Sequence, residues 1–274
     1  MDTMQLIAKV IEVAQNASDA ILEIYRDVDV GVRYKSDNSP LTLADLAADR
    51  VIRSGLAALD PVYPILTEET VQITYEHRKD WYRFWLVDPL DGTKEFIKRS
   101  GEFTVNIALI ENGMPILGVV YVPVSDLCYY ATIDSGAYLQ EKRQSVRRVG
   151  VKALLPGEAV SVVMSRSHAD WRTEAMLHYL GRYECISMGS SLKLCAVADG
   201  SAHFYPRLGP TMEWDTAAAH AIVLAAGGCV CDAAGNELRY NKPDLHNPDF
   251  FVLPKNSEML MNAARQSAIP EEKI

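Results

Sequence analysis

The chain has no uninterrupted apolar run near the ~20 residues that a membrane-spanning helix needs. The best candidate, AAAHAIVLAAGG from Ala217, is short and contains His220. A basic signal-peptide start is also missing, because Asp2 lies in the opening MDTMQLIAKV. Export is therefore not indicated, and we expect a cytoplasmic protein.

Positive charge and cysteine are scarce. The chain has 27 Lys and Arg against 36 Asp and Glu, a formal net charge of −9. This balance argues against a binder of nucleic-acid polymers with a basic surface. The five cysteines are odd in number and form no CxxC pair, so reduced thiols are the simplest interpretation. They are Cys128, Cys185, Cys195, Cys229 and Cys231.

The 274 residues are 49% hydrophobic and 23% charged, which indicates a globular chain of one large or two smaller domains. Helices followed by strands joined in hairpins make the first half an α+β pattern, and strands alternating with helices make the second half an α/β pattern. We place a domain boundary at residue 147, giving domains 1–147 and 148–274. A cleft between them is the expected place for a small-molecule site.

Periodicity predicts a first helix over residues 4–25 and a second that begins at Thr42 and runs to about Leu59. Asp45, three residues after Thr42, completes a capping box. The apolar run 83–87 predicts a strand that ends at Asp88. Asn112-Gly113 is typical of a hairpin turn between the next two strands.

The segment Asp88-Pro89-Leu90-Asp91-Gly92-Thr93 holds the strongest chemical signal. A tight turn here would bring two carboxylates and the Leu90 carbonyl together, and such oxygen ligands suit Mg²⁺. The amides of Gly92 and Thr93 would form an anion site if a helix follows. A surface turn is the alternative interpretation. Haloacid-dehalogenase phosphatases separate their two acids by two positions, whereas Asp88 and Asp91 are three apart, which argues against an aspartyl-phosphate mechanism.

Three further features accompany this segment. Glu68-Glu69 follows a short apolar run and could be either surface acids or site residues. Asp215 lies at a helix start, where it could cap the helix, bind metal or do both. We expect Glu68, Asp88, Asp91 and Asp215 to converge, which requires cations because like charges repel strongly in a low dielectric. Thr93, hydrogen-bonded to Asp45, could orient a water molecule.

In this order, Glu68-Glu69, DPLDGT at 88–93 and WDTAAAHAIVLAAGG from Trp214 make the chain resemble the inositol monophosphatase superfamily of lithium-sensitive, Mg²⁺-dependent phosphatases. The resemblance covers nearly the whole chain. VMSRSH (163–168), GSSLKLC (189–195) and YPRLGPTMEWDTAA (205–218) are similar to the 3'(2'),5'-bisphosphate nucleotidases of the CysQ type within it.

The resemblance implies a layered αβαβα sandwich and two or three Mg²⁺ ions. It makes Glu68, Asp88, the Leu90 carbonyl, Asp91 and Asp215 the metal ligands, and it assigns catalytic roles to Asp45, Thr93 and Glu68. The substrate contacts that it implies include Glu68, Leu90, Asp91, Gly92, Thr93 and Asp215. They also include Ser165, His168, Gly189, Ser190, Lys193 and Arg207. His168 could instead be a solvated loop residue and Lys193 a solvent-facing helix charge.

The implied activity is hydrolysis of the 3'-phosphate of adenosine 3',5'-bisphosphate to AMP, with 3'-phosphoadenosine 5'-phosphosulfate as a further substrate, in sulfate assimilation. The rival interpretations are a phosphatase of inositol or other sugar phosphates and a non-catalytic nucleotide or metal sensor. The expected partner is a small nucleotide. A homodimer and peripheral association with the inner face of the cell membrane are compatible with the resemblance, since some relatives show each.

Overall fold

A computed structural model describes residues 3–27, 31–34, 40–70, 73–164 and 171–267. The helices of these residues are α1 (Thr3–Tyr25), α2 (Leu43–Ala57), α3 (Tyr75–Arg78), α4 (Thr93–Ile97), α5 (Trp171–Leu180), α6 (Leu192–Ala198), α7 (Glu213–Ala225) and α8 (Glu258–Gln266). None of them is long and apolar enough to cross a membrane.

The strands of the first half are β1 (Arg33–Tyr34), β2 (Pro40–Leu41), β3 (Ile65–Thr67), β4 (Arg83–Asp91), β5 (Thr104–Glu111), β6 (Met114–Val122), β7 (Leu127–Thr132), β8 (Gly136–Glu141) and β9 (Ser145–Val149). Those of the second half are β10 (Val160–Met164), β11 (Tyr183–Ser187), β12 (Tyr205–Arg207), β13 (Gly228–Cys231) and β14 (Phe250–Pro254).

Strands β3 to β9 form one seven-stranded sheet in chain order, in which only the β3–β4 pair is parallel. Its central strands are apolar on both faces because both faces are covered. In β4, Trp85 and Val87 pack with α1 and α2, whereas Phe84 and Leu86 pack with α7 on the opposite face. The sheet is therefore the second layer of the fold.

The remaining layers follow from the same burial pattern. Helices α6 and α7 lie between the large sheet and the strands of the second half, which form a parallel β10–β11 pair and an antiparallel sheet in the order β12-β14-β13. Helices α5 and α8 cover the outer side of these strands. The molecule is thus an α+β fold with the layer order αβαβα, as expected.

Several predicted elements are present with small shifts. Helices α1 and α2 match the periodic segments, and Thr42 caps α2 with Asp45 at the third helical position. Asn112 and Gly113 join β5 to β6 with positive φ angles of 49° and 74°, as a two-residue hairpin turn requires. The predicted boundary at residue 147 lies inside β9, so the large sheet extends to Val149.

The sequence predicted that strand β4 ends at Asp88, but the strand continues to Asp91. Its pairing with β5 shifts between Asp88 and Asp91, which marks a β-bulge. Pro89 lies in this irregularity, where its missing N–H removes no ladder hydrogen bond. The bulge therefore accommodates the proline and changes the direction of the two acids that flank it.

Gly118 on β6 brings α7 close to the large sheet. A Cβ atom at this position would lie 2.1 Å from the Ala218 carbonyl oxygen. Because that oxygen belongs to a helix backbone, a side chain at residue 118 could enter only by moving α7.

We predict that Gly118→Ala lowers the free energy of unfolding by about 1–3 kcal/mol, the usual cost of overpacking a core. Denaturant unfolding of the purified variant measures the effect. Gly150→Ala is the matched control, since the nearest atom to its added Cβ is 3.7 Å away. Equal stability of the two variants would contradict this account of the α7 contact.

Candidate active site

The end of strand β4 carries three of the predicted ligand residues. Asp88 is only 1% exposed, and its Oδ1 accepts a hydrogen bond of 3.0 Å from the Leu90 amide. Asp91 is half-buried at the last position of the strand. In the register with β5, Asp88 lies opposite Asn106 and Asp91 lies opposite Thr104. The bulge thus holds both acids at one end of the sheet.

Asp45 and Asp215 both lie in the first turn of a helix, where hydrogen bonds of the helix cap fix their side chains. Each occupies the third helical position, where one carboxylate oxygen accepts the backbone N–H of the capping residue. Thr42 N donates to Asp45 Oδ2 at 2.7 Å, and Met212 N donates to Asp215 Oδ2 at 2.9 Å. Asp215 is therefore part of a cap, though not the capping residue itself. In both acids, Oδ1 lies outside this capping interaction.

Thr93 lies next to Asp45, as predicted from the sequence. Its Oγ1 is 3.3 Å from Asp45 Oδ1 and 3.4 Å from the Leu90 carbonyl oxygen. Gly92 precedes it as the capping residue of α4, with a φ of 93°. Burial is the main cause that raises the pKa of Asp45, and the hydrogen bonds from Thr42 oppose it. The pair can accept and relay a proton.

Asp91 connects the two halves of the chain. Its Oδ2 accepts hydrogen bonds from Ser190 Oγ at 2.5 Å and from the Ser191 amide at 2.6 Å. Short bonds to a carboxylate are strong, because the acceptor carries the charge. The loop before α6 is thereby fastened to the end of β4, more than 90 residues earlier in the chain.

The four predicted acidic ligands influence one another electrostatically. Burial, and then the charges of Glu68, Asp91 and Asp215, raise the pKa of Asp88 well above its ordinary value. Burial, Asp91 and Glu68 likewise raise the pKa of Asp215. Glu68 begins a short 3₁₀ helix after β3 and is half-buried. Neighbouring acids therefore make Asp88 and Asp215 harder to ionise than burial alone would.

These acids do not form a ready-made metal cage. In the parts of the chain that the structure describes, no three His, Cys, Asp or Glu side chains are arranged so that they could hold a metal ion. The chemistry of the donor set nevertheless fits Mg²⁺, because it combines carboxylates with a backbone carbonyl and no nitrogen or sulfur ligand. The convergence of the four acids therefore stays a prediction, and the structure shows only that neighbouring acids contribute to the raised pKa values of Asp88 and Asp215.

A cleft of 420 Å³ opens beside the acids. It is lined by Asp91, Gly92 and Asp215 from the acidic group, and by Gly189, Ser190, Lys193 and Arg207 from the predicted nucleotide contacts. Seven of the predicted residues thus share one concave surface. Asp45, Glu68, Asp88 and Thr93 are not among the residues that line this cleft.

Lys193 is buried in the cleft wall, so its interpretation as a solvent-facing charge is wrong. The side chain is 8% exposed, and Nζ donates to the Ser190 carbonyl oxygen at 2.7 Å. Nζ also lies 5.7 Å from the centre of the Tyr205 ring. Burial lowers the pKa of Lys193, whereas the charge of Asp91 opposes the shift. A buried amine close to carboxylates is suited to an anionic ligand.

Arg207 enters the same cleft from β12. It donates to the Pro210 carbonyl oxygen at 2.9 Å, and its buried Nε has no hydrogen-bond partner within the described residues. Ser165 and His168 lie outside the described residues. Sequence reasoning overlooked Ser191 as a partner of Asp91, although it stands in the GSSLKLC segment. Its neighbours Thr104 and Asn106 were also missed, because they lie within an apolar strand pattern.

Comparison with known proteins gives a consistent picture. The model of the inositol monophosphatase family matches residues 2–269. The 3'(2'),5'-bisphosphate nucleotidase CysQ of Escherichia coli K12 is 49% identical over 249 residues, which cover 90% of this chain and 99% of that protein.

Solved structures agree in fold. CysQ from Bacteroides thetaiotaomicron, a bacterial member of the inositol monophosphatase family, is 42% identical with a TM-score of 0.82, covering 93% of this chain and 99% of that one. An inositol monophosphatase from Zymomonas mobilis is 21% identical with a TM-score of 0.76, covering 98% of this chain and 100% of that one. The second similarity concerns the fold alone.

Proposed function

Because the chain belongs to the inositol monophosphatase family, we propose that it is a 3'(2'),5'-bisphosphate nucleotidase that hydrolyses the 3'-phosphate of adenosine 3',5'-bisphosphate to AMP and phosphate. The observation that carries this proposal is the cleft in which Asp91 and Asp215 meet Lys193 and Arg207. In this proposal, Asp91 and Asp215 bind metal ions at the phosphate that is hydrolysed, and the side chains of Lys193 and Arg207 bind the second phosphate. The 49% identity with the E. coli nucleotidase supports the same substrate.

The proposal includes 3'-phosphoadenosine 5'-phosphosulfate as a further substrate, and with it a role in sulfur assimilation. It also includes a cytoplasmic location, in keeping with five cysteines that are all free. The 5'-substituent of either nucleotide is anionic, so both substrates need a positively charged side chain in the cleft to bind that group. A substrate without that group would leave Lys193 with no anionic ligand.

Two or three Mg²⁺ ions are part of the proposal. Glu68, Asp88, Asp91, Asp215 and the Leu90 carbonyl would hold them. When bound, such ions supply an activated water and neutralise the negative charge of the transferring phosphate and of the leaving oxygen. The raised pKa values of Asp88 and Asp215 support this assignment. Burial is their main cause and repulsion from neighbouring acids adds to it, and a bound cation would favour the ionised form of both side chains.

The chain's own residues position and deprotonate the attacking water. Water gives a proton to Thr93 Oγ1 as Thr93 gives its own proton to Asp45 Oδ1, which lies 3.3 Å away. Burial of Asp45 raises its pKa and so favours proton acceptance. The capping bonds from Thr42 occupy Asp45 Oδ2 and leave Oδ1 for Thr93. The proposal assigns to the amides of Gly92 and Thr93, at the start of α4, the donation of hydrogen bonds to phosphate oxygens.

We predict that the purified protein with Mg²⁺ releases phosphate from adenosine 3',5'-bisphosphate with a higher kcat/KM than from inositol 1-phosphate. EDTA should abolish release, and excess Mg²⁺ should restore it. A malachite-green phosphate assay measures both. A preference for inositol 1-phosphate would select the sugar phosphatase instead, and the absence of release from every substrate would leave a sensor as the better account.

We predict that Lys193→Met selectively weakens use of a substrate with two phosphates. Methionine keeps the apolar stem but removes a charge-assisted hydrogen bond worth about 1.5–3 kcal/mol. The kcat/KM for adenosine 3',5'-bisphosphate should fall about 10- to 100-fold, and that for adenosine 3'-monophosphate much less. Steady-state kinetics on both substrates test this, with the exposed Lys9→Met as control. Equal losses on the two substrates would refute the role of Lys193.

A further inference from the structure

The segment from Glu102 to Asn106 presents polar side chains at alternate positions. Phe103 and Val105 face the α1–α2 side of the sheet and are fully buried there. Thr104 and Asn106 therefore point to the opposite side, because successive side chains of a strand alternate. Glu102 precedes the strand, and its carboxylate lies on the same side as these two, where it accepts a hydrogen bond from the Gly189 amide. Thr104 and Asn106 are themselves buried, at 0% and 1% exposure. Buried polar side chains in a sheet need hydrogen-bond partners.

Those partners are successive residues of one loop. Gly189 N donates to Glu102 Oε2 at 2.9 Å, and Thr104 Oγ1 lies 2.6 Å from Ser190 Oγ and 2.9 Å from Ser191 Oγ. Ser191 Oγ donates to Asn106 Oδ1 at 2.9 Å. We call Glu102, Thr104 and Asn106 the polar ladder. It runs beside the acids, because Thr104 and Asn106 are the cross-strand partners of Asp91 and Asp88.

The network contains three hydroxyl groups and ends at the Asp91 carboxylate. Ser190 has one hydroxyl proton, and the Asp91 carboxylate, 2.5 Å away, is its strongest acceptor. Thr104 Oγ1 has one proton for its contacts with Ser190 Oγ, Ser191 Oγ and Asn106 Oδ1, at 2.6, 2.9 and 3.0 Å. Ser191 Oγ also donates to Asn106 Oδ1. The hydroxyls of Thr104, Ser190 and Ser191 are thus joined in one network with Asp91, in which neighbouring bonds strengthen one another.

The loop needs this support because its conformation is unfavourable. Ser190 has a φ of 54°, in the left-handed region that residues with a side chain rarely adopt. Gly189 lies so close to Glu102 that a Cβ atom would come within 3.1 Å of its carboxylate. Such a loop persists only where its surroundings hold it. The ladder, together with Asp91, provides contacts of this kind.

We propose that Glu102, Thr104 and Asn106 are positioning residues that fix the loop of residues 189–191 against strand β4 and thereby orient Asp91 for metal binding. The assignment of Asp91 as a ligand rests on the proposed function. The ladder leaves Asp91 Oδ2 bound to Ser190 and Ser191, so that Oδ1 is the oxygen presented to a cation. It also sets the position of the Ser190 carbonyl that accepts from Lys193.

Thr104→Val tests the proposal, because valine keeps the shape and removes only the hydroxyl. Without substrate, Mn²⁺ titration followed by electron paramagnetic resonance should show an affinity about fivefold weaker than that of the unsubstituted protein. The kcat for adenosine 3',5'-bisphosphate should fall about tenfold. Thr104→Ser, which retains the hydroxyl, should restore both values to within about twofold. Thr132→Val is the matched control on β7, another buried threonine of the same sheet.

Wild-type Mn²⁺ affinity and kcat in Thr104→Val would overturn the proposal, and so would equal defects in Thr104→Ser. If Thr104→Val does not fold, Glu102→Ala is compared with Glu102→Gln, which keeps an oxygen to accept the Gly189 amide. The alanine variant should then show the weaker Mn²⁺ affinity, and equal affinities would refute the ladder. The Mn²⁺ titration decides this point even if the nucleotidase assay of the unsubstituted protein fails.

Discussion

Repulsion among acids around one buried carboxylate, Asp88, is the constraint on which the site depends. Asp88 is almost fully buried, and the charges of Glu68, Asp91 and Asp215 all act against its ionisation. Such a group of acids opposes its own assembly unless cations neutralise it. The elements around the site hold these side chains near one another in spite of their electrostatic repulsion.

Four structural features hold these side chains near one another. The bulge at Pro89 holds Asp88 and Asp91 at the end of a central strand, and helix capping fixes one oxygen of Asp215. The loop before α6 supplies two hydrogen-bond donors to Asp91. In Asp91 and Asp215, Oδ2 accepts hydrogen bonds from within the protein, which leaves Oδ1 available to bind a cation. The close approach of α7 to the sheet at Gly118 brings Asp215 into the same region.

Local signals in the sequence predicted the long helices, the Asn112-Gly113 hairpin and the capping box of Thr42 and Asp45, because capping, periodicity and turn chemistry act over a few residues. The contact between Thr93 and Asp45, which are 48 residues apart, was a hypothesis about their chemistry. The local signals did not predict that β4 continues to Asp91, since that depends on pairing with β5. Strand β9, SVRRV, was missed because it is mostly exposed and lacks an apolar alternation. The polar ladder was equally hidden, because its hydrogen bonds join segments 85 to 87 residues apart. The burial of Lys193 was missed because a helical pattern alone does not show which face of a short helix is covered.

The central claim is that divalent ions bind among Glu68, Asp88, Asp91 and Asp215 and draw these side chains together. Anomalous diffraction from crystals soaked in Mn²⁺ tests it directly. The account predicts strong anomalous peaks within coordination distance of oxygens from at least three of the four acids, with Asp91 contributing Oδ1. Peaks only elsewhere on the molecule, or none at saturating Mn²⁺, would contradict it.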